Sequence, residues 1–201
     1  MNALEGLNQS LFLLINAVPA TPVWRIHAAM LLANWLILLV PAALAALWLW
    51  GGPPQRDMAL KALASIAVAL FASYLCGALW PHARPFAIGL GHAFLPHKAT
   101  SSFPSNHTII MATFGFALIL DRRWAGWGWL ALAAAAAVGM ARVYLGLHFP
   151  LDILGGLVLA PVAAGLAALA WRRCGKPLTG VAHGLYRKAL ALPIARGWIR
   201  A

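Results

Sequence analysis

Long apolar runs, broken by short polar punctuation, dominate this chain. Residues 24–50 form one run, closed by Gly51-Gly52-Pro53-Pro54, and residues 58–80 form a second, closed by Pro81. Residues 107–120 form a shorter third run, ended by Asp121-Arg122-Arg123. An alanine-rich fourth covers 124–146, and a fifth covers 152–171, ended by Arg172-Arg173. About 20 apolar residues carry a helix across the hydrocarbon core of a bilayer, so each run reads as a spanning helix. The stretch 4–19 is apolar but interrupted by Asn8, Gln9, Ser10 and Asn16. It reads equally well as a sixth span or as a helix lying in the interface. The pattern predicts an all-α membrane protein, a bundle of five to six transmembrane helices forming a single domain over 1–201. Residues 177–201 mix Trp, Leu and Tyr with spaced basic residues and predict a basic amphipathic C-terminal tail at the membrane surface.

Composition sharpens this picture. Hydrophobic residues make up 63% of the chain and charged residues only 9%, against about 25% charged in soluble domains. The polar surface needed for a water-soluble fold is missing. Fifteen Lys and Arg face four Asp and Glu, for a formal net charge of +11. In a soluble protein this excess would suggest nucleic acid. Here the basic residues gather at the ends of apolar runs, which excludes that class and fits the positive-inside rule. Arg56, Lys61, Arg122, Arg123, Arg172, Arg173, Lys176, Arg187, Lys188, Arg196 and Arg200 fall on one side of the bilayer. Arg25, Arg84, Lys98 and Arg142 fall on the other. The first side is then cytoplasmic, and the segments 81–106 and 147–151 face outward together. No cleavable signal peptide is expected, because Glu5 stands where a signal would be basic. Cys76 and Cys174 are too far apart in sequence and context to form a metal or disulfide framework.

The outward segments collect the unusual residues: "WPHARPF" at 80–86, "SFPSNH" at 102–107 and "ARVYLGLHFPLD" at 141–152. Singly, Arg84 and Arg142 read as headgroup anchors that snorkel to the interface. Ser105 and Asn106 read as caps for the helix that follows, and Asp152 as a cap or a partner of Arg142. Together they fit phosphoryl transfer. Two arginines offer planar forks matched to phosphate oxygens. The start of the helix near 107 offers free backbone N–H groups to an anion, and Ser105 adds a hydroxyl. His107 and His148 can divide nucleophilic attack and proton transfer. His148 and Asp152 are four apart and share a face, so the carboxylate can hold Nδ1–H and aim Nε2 outward, as in a catalytic triad. A two-metal phosphatase needs several carboxylates, whereas Glu5, Asp57 and Asp121 are expected to lie away from this cluster. The expectation is catalysis through a phosphohistidine with no metal and no cofactor.

Arg84-Pro85, then Pro104-Ser105-Asn106-His107, then Arg142 with His148 and Asp152 at R-x5-H-x3-D spacing, resemble the three signature blocks of the type 2 phosphatidic acid phosphatase superfamily. "WPHARPF", "GLGHAFLPH", "SFPSNHT" and "RVYLGLHFPLDILGG" resemble its BcrC-type undecaprenyl pyrophosphate phosphatase branch nearly phrase by phrase. The resemblance implies an acid-phosphatase-like six-helix membrane core. It implies that Arg84, Ser105, His107, Arg142 and the backbone N–H of Asn106 bind phosphate. His107 would also act as the acid, and His148 as the nucleophile oriented by Asp152. It implies a lipid-linked diphosphate as substrate, recycling of the wall-lipid carrier, and residence in a bacterial inner membrane with the site facing outward. The chain departs from the family's pattern at Gly77, where a Lys is usual, at Asn106, where Gly or Asp is usual, and at Ala141, where Ser is usual. His82, His97 and Lys98 are the candidates to replace the missing cation, with His82 placed among the substrate-binding residues. Other lipid phosphates (phosphatidylglycerol phosphate, phosphatidic acid, lipid A) remain as substrates, and a non-catalytic lipid-phosphate transporter or scaffold remains as a further reading.

Overall fold

A computed structural model describes residues 3–201 of the chain. Their regular elements are all helices, with no strand among the described residues, and residues 89–105 form a long irregular loop. Helix α1 covers Ala3–Ile15, α2 Val23–Trp35, α3 Leu39–Leu49, α4 Pro53–Leu79, α5 Asn106–Leu120, α6 Ala125–Tyr144, α7 Pro150–Ala189 and α8 Ala191–Ala195. Helices α2 and α3 form one apolar rod, Val23–Leu49, joined by a 3-10 turn at Leu36–Leu38. Pro41 has no N–H for the preceding turn, and the chain tightens just before it. Among the described residues four segments are long and apolar enough to cross a membrane: Val23–Leu49, Pro53–Leu79, Arg122–Tyr144 and Pro150–Ala189.

The short helix α5 is the centre of the bundle. It packs against α4, α6 and α7, and nine of its 15 residues are buried, from Thr108 to Leu118. The main core joins Ile109, Met111, Ala112 and Phe114 of α5 to Ala62, Ile66 and Ala69 of α4, Val138 of α6 and Ala160 and Ala163 of α7. Small residues set the spacing. A Cβ on Gly156 of α7 would stand 3.3 Å from the backbone of Ser105 and Ile109, so glycine lets α7 lie close against the start of α5.

The expected tail at 177–201 begins inside a continuous helix. Helix α7 continues through Arg172-Arg173 to Ala189, 40 residues in all with Pro161 and Pro177 inside it. At 1.5 Å per residue it is about 60 Å long, twice the hydrocarbon thickness. After α8 the chain returns to the bundle end remote from the loops 81–105 and 145–149. There the Arg200 N–H donates to Leu49 O (2.9 Å), Trp50 Nε1 to Trp198 O (3.1 Å) and the Tyr186 hydroxyl to Arg200 O (2.7 Å). Arg56, grouped above with the interfacial cations, is 1% exposed. It bonds Trp48 O, Arg200 O and His183 and lies over the Tyr186 ring. The reach of an aromatic-rich terminus back to a buried arginine is a tertiary event that local charge spacing does not reveal.

The stretch 4–19 contains a helix of 13 residues, about 20 Å long and short of a full span. Its interrupting polar residues serve as pins. Asn8 Oδ1 accepts from Leu151 N–H (3.1 Å), while the Asn16 side chain bonds both the N–H and the carbonyl of His92 and the carbonyl of Tyr144. Helix α1 is thereby fastened across α6 and α7 beside the loops 81–105 and 145–149.

Candidate active site

Three chain segments converge at the N-terminal end of α5. Pro81 ends α4, and the following loop carries Arg84 into a 3-10 turn at Pro85–Ile88. Segment 99–105 then returns along the end of α4, with a cis Phe103–Pro104 bond, and delivers Ser105 as the cap of α5. A third turn joins α6 to α7. Gly146 there has φ +81°, and a Cβ would strike the carbonyl of His92, so only glycine permits this close approach. The turn carries His148, and Pro150 opens α7 at its first position.

Asp152 is the third residue of α7. Its Oδ2 accepts the Phe149 N–H (2.8 Å) as a helix cap, accepts the Ser102 hydroxyl and lies 3.2 Å from His148 Nδ1. Capping and orientation of the histidine are therefore the work of one oxygen. Arg142, the other partner considered for Asp152, bonds Ala33 O (3.3 Å) and His97 Nε2 (3.2 Å) instead.

The tautomer of His148 follows from its neighbours. Nε2 is 3.1 Å from Arg84 Nη1. A guanidinium only donates, so Nε2 is the acceptor and Nδ1 carries the hydrogen, facing Asp152. Burial is the main cause that lowers the His148 pKa to about 4, against the pull of Asp152. The ring is neutral at physiological pH, and its lone pair points toward the cationic side of the site.

That side holds two arginines. Arg84 is 5% and Arg142 is 2% exposed. Arg84 is fixed by Thr100 O, Leu147 O and Ser101 O, which ties together the loops bearing it and His148. His107, the second residue of α5, lies within electrostatic range of Arg142, His148, His97 and Arg84. Ser105 is fully buried, its hydroxyl accepting from Thr108 Oγ1 (3.2 Å) and its N–H donating to Asp152 O (3.1 Å). Asn106 begins α5, so its backbone N–H is one of the helix's orphan donors. Its side chain turns to α4, where Oδ1 accepts from Ser73 Oγ (2.7 Å).

The structure thus gathers Arg84, Ser105, Asn106, His107, Arg142, His148 and Asp152 around one helix start. His82 is not with the cationic groups. It lies behind Asp152 with Nε2 3.3 Å from Glu5, and both line a cavity of about 420 Å³ together with Asn8, Trp80, Phe103 and Leu151. Glu5, expected to lie away from the cluster, is therefore part of its surroundings, because the pins at Asn8 and Asn16 hold α1 there.

His97 takes a place in the site that the sequence left undecided. Its Nε2 accepts from Arg142, its Nδ1 donates to Lys98 O (3.1 Å), and its ring lies 6.5 Å from that of His148. Burial holds its pKa below the ordinary imidazole value, and Arg84 and Arg142 push the same way. Lys98 is exposed. The position of the family's usual Lys is Gly77, where a Cβ would stand 3.3 Å from Ser101 Cβ. The loop that delivers Ser102 and Ser105 has taken that space. Ser102 was not singled out from the sequence; only its position two before a Pro-Ser-Asn-His run hints at it. No group of three His, Cys, Asp or Glu among the described residues is arranged to hold a metal ion.

A buried histidine on a carboxylate, two buried arginines and an open helix start, all on a transmembrane α-bundle, define a lipid-phosphate phosphatase type of site. The PAP2 superfamily profile matches residues 58–176, and the chain belongs to that superfamily. It is 42% identical over 198 residues, 98% of this chain and 99% of the relative, to an Escherichia coli (strain K12) protein named "Putative undecaprenyl-diphosphatase YbjG". It is 31% identical over 129 residues, 64% of this chain and 66% of the relative, to undecaprenyl-diphosphatase BcrC of Bacillus subtilis (strain 168). The crystal structure of Aquifex aeolicus LpxE superposes with a TM-score of 0.63 over 81% of this chain and 94% of that one, at 23% identity. That last likeness concerns the fold.

Proposed function

We propose that this chain is a multi-pass membrane undecaprenyl-diphosphatase, releasing inorganic phosphate from undecaprenyl diphosphate to give undecaprenyl phosphate. The reaction rests on the His148 ring, neutral and held by Asp152 so that Nε2 presents its lone pair beside Arg84. The substrate class rests on the nearly full-length likeness to YbjG. The diphosphate meets Arg84, Arg142, Ser105 and the backbone N–H of Asn106. The isoprenoid lies in the lipid beside the bundle.

In the first step Nε2 of His148 attacks the terminal phosphorus. The bond from that phosphorus to the bridging oxygen breaks, and His107 protonates the departing lipid phosphate. The imidazole becomes cationic as the N–P bond forms, and Asp152 stabilises that charge across Nδ1–H. In the second step His107, now a base, takes a proton from water. The hydroxide attacks phosphorus, the N–P bond breaks, inorganic phosphate leaves and His148 is regenerated. No step calls for a metal ion. The distribution of basic residues supports an inner-membrane setting with the site on the outward face.

Purified protein in detergent micelles, given undecaprenyl diphosphate, phosphatidylglycerol phosphate, phosphatidic acid and lipid A in parallel, tests the assignment through phosphate release. The polyprenyl diphosphate should turn over fastest and His148→Ala should abolish release. Faster turnover of a diacyl phosphate or lipid A would overturn the substrate, and activity surviving in His148→Ala would overturn the nucleophile.

A further inference from the structure

The carboxylate of Asp152 is used unevenly. Its Oδ2 faces three donors, the Ser102 hydroxyl, the Phe149 N–H and His148 Nδ1–H. Its Oδ1 is equally buried and has no hydrogen-bond partner among the described residues. A buried carboxylate oxygen without a donor is costly and uncommon in folded proteins. The group that faces it is His82, whose Nδ1 is 4.0 Å away and likewise has no partner. The other nitrogen of that ring, Nε2, is 3.3 Å from Glu5 Oε2. The ring is packed edge-on against Phe149, 5.6 Å between centroids, and the His82 backbone N–H is bonded to Ser101 Oγ. One imidazole is therefore held between two carboxylates, one on α1 and one on α7.

We propose that Glu5 and His82 form a positioning pair for the catalytic carboxylate. Both neighbours are carboxylate oxygens that only accept, so His82 turns Nε2 to Glu5 at 3.3 Å and Nδ1 toward Asp152 Oδ1 across 4.0 Å, an ion-pair rather than a hydrogen-bond distance, and so orients the carboxylate plane that aims His148. The titratable and charged groups around His82 are Glu5 from α1 and Asp152 from α7, with the neutral His148 and the Arg84 guanidinium beyond Asp152. A ring in that place faces Oδ1 and stops the carboxylate rotating about its own Oδ2 contacts. The pair contributes no atom to the reaction. Glu5 lies outside the matched family region, 58–176, so this support is supplied by the N-terminal helix. It gives α1 a task beyond covering apolar surface, and it accounts for the polar pins at Asn8 and Asn16 that fix α1 in place.

This inference rests on the phosphatase reading above, and the two fail differently. Wild-type protein that releases no phosphate from any lipid in the panel refutes the reading itself. If the wild type is active, the pair is tested by kcat and KM for undecaprenyl diphosphate in His82→Ala, Glu5→Gln and the double variant, with and without added imidazole. A group that faces the carboxylate at 4.0 Å acts at ion-pair range, so His82→Ala should lose at least about tenfold in kcat. Its KM should stay within about twofold, because the ring does not touch substrate. Imidazole should restore kcat, since the cavity beside Asp152 is open to a molecule of that size. Glu5→Gln should lose less, and the double variant no more than His82→Ala, because both act through one contact. Gln keeps the shape of the Glu5 side chain, so Glu5→Gln keeps the test available if His82→Ala fails to fold. The proposal is overturned if kcat is unchanged in Glu5→Gln at unaltered Tm, if His82→Ala raises KM rather than lowering kcat, or if imidazole leaves kcat of His82→Ala unmoved.

Discussion

Replacing Asp152 by Asn isolates what its charge contributes. The amide keeps the shape of the carboxylate but offers one acceptor. In the structure three donors crowd Oδ2, while Oδ1 has His82 alone at 4.0 Å. The Asn carbonyl therefore takes the Oδ2 position, where it still accepts from Ser102, Phe149 and His148. The tautomer of His148 survives, and the loss is electrostatic. As the N–P bond forms, the imidazole gains up to a full positive charge about 4 Å from the carboxylate. At an effective dielectric near 20 a full charge pair at that distance is worth about 4 kcal/mol, and half that if the charge is half developed. At 1.36 kcal/mol per decade, 2–4 kcal/mol is about 30- to 1000-fold in kcat. KM should change little, since Asp152 does not bind the diphosphate. The assay is steady-state phosphate release, with Tm measured alongside to confirm folding. A kcat within a few-fold of wild type would refute the electrostatic role. A loss beyond about 10⁴-fold, the size expected when the histidine is locked in the wrong tautomer, would refute the assignment of the carbonyl to the Oδ2 side.

Other expectations follow from the same geometry. Because burial lowers the His148 pKa to about 4, its neutral form persists on acidification to well below the ordinary imidazole range. In His107→Ala, kcat/KM should then change less than about twofold between pH 7.5 and 5.5; a roughly tenfold fall centred near 6.5 would contradict a neutral, buried nucleophile. Arg84→Lys should cost at least about 1.5 kcal/mol, more than tenfold in kcat/KM, because a single ammonium cannot hold Thr100 O, Leu147 O and Ser101 O while meeting phosphate; wild-type kinetics would refute the fork. Gly146→Ala should lower thermal stability by about 1–3 kcal/mol, since alanine must adopt φ +81° and press on the His92 carbonyl; an unchanged Tm would show that the turn relaxes freely. Activity should persist after EDTA, and full loss restored by magnesium would contradict metal-free transfer.

Spacing along the chain carried much of this site. Arg84, Ser105, Asn106, His107, Arg142, His148 and Asp152 sit at helix ends or in the loops there, so short motifs located them before any fold was known. The shared face of His148 and Asp152 was legible because a helix start separates them by four residues. Contacts between segments distant in sequence were not legible. His97 reaches Arg142 across 45 residues and Ser102 reaches Asp152 across 50, and neither has a local signature. The pairing of Glu5 with His82 spans 77 residues and depends on α1 lying across α6 and α7. The long α7 was hidden by Arg172-Arg173, which mark where apolar character stops although the helix does not. The substitution of Gly77 for a cation became intelligible only once Ser101 was seen against it.

The most direct test of the account is to trap its covalent intermediate. Wild-type protein mixed with undecaprenyl diphosphate labelled in the terminal phosphate, quenched in alkali within a turnover and digested, should carry label on one peptide. That label should sit on His148, be acid-labile and alkali-stable, and be missing in His148→Ala. Label on any other residue, or full turnover with none on the protein at any quench time, would contradict the phosphohistidine route.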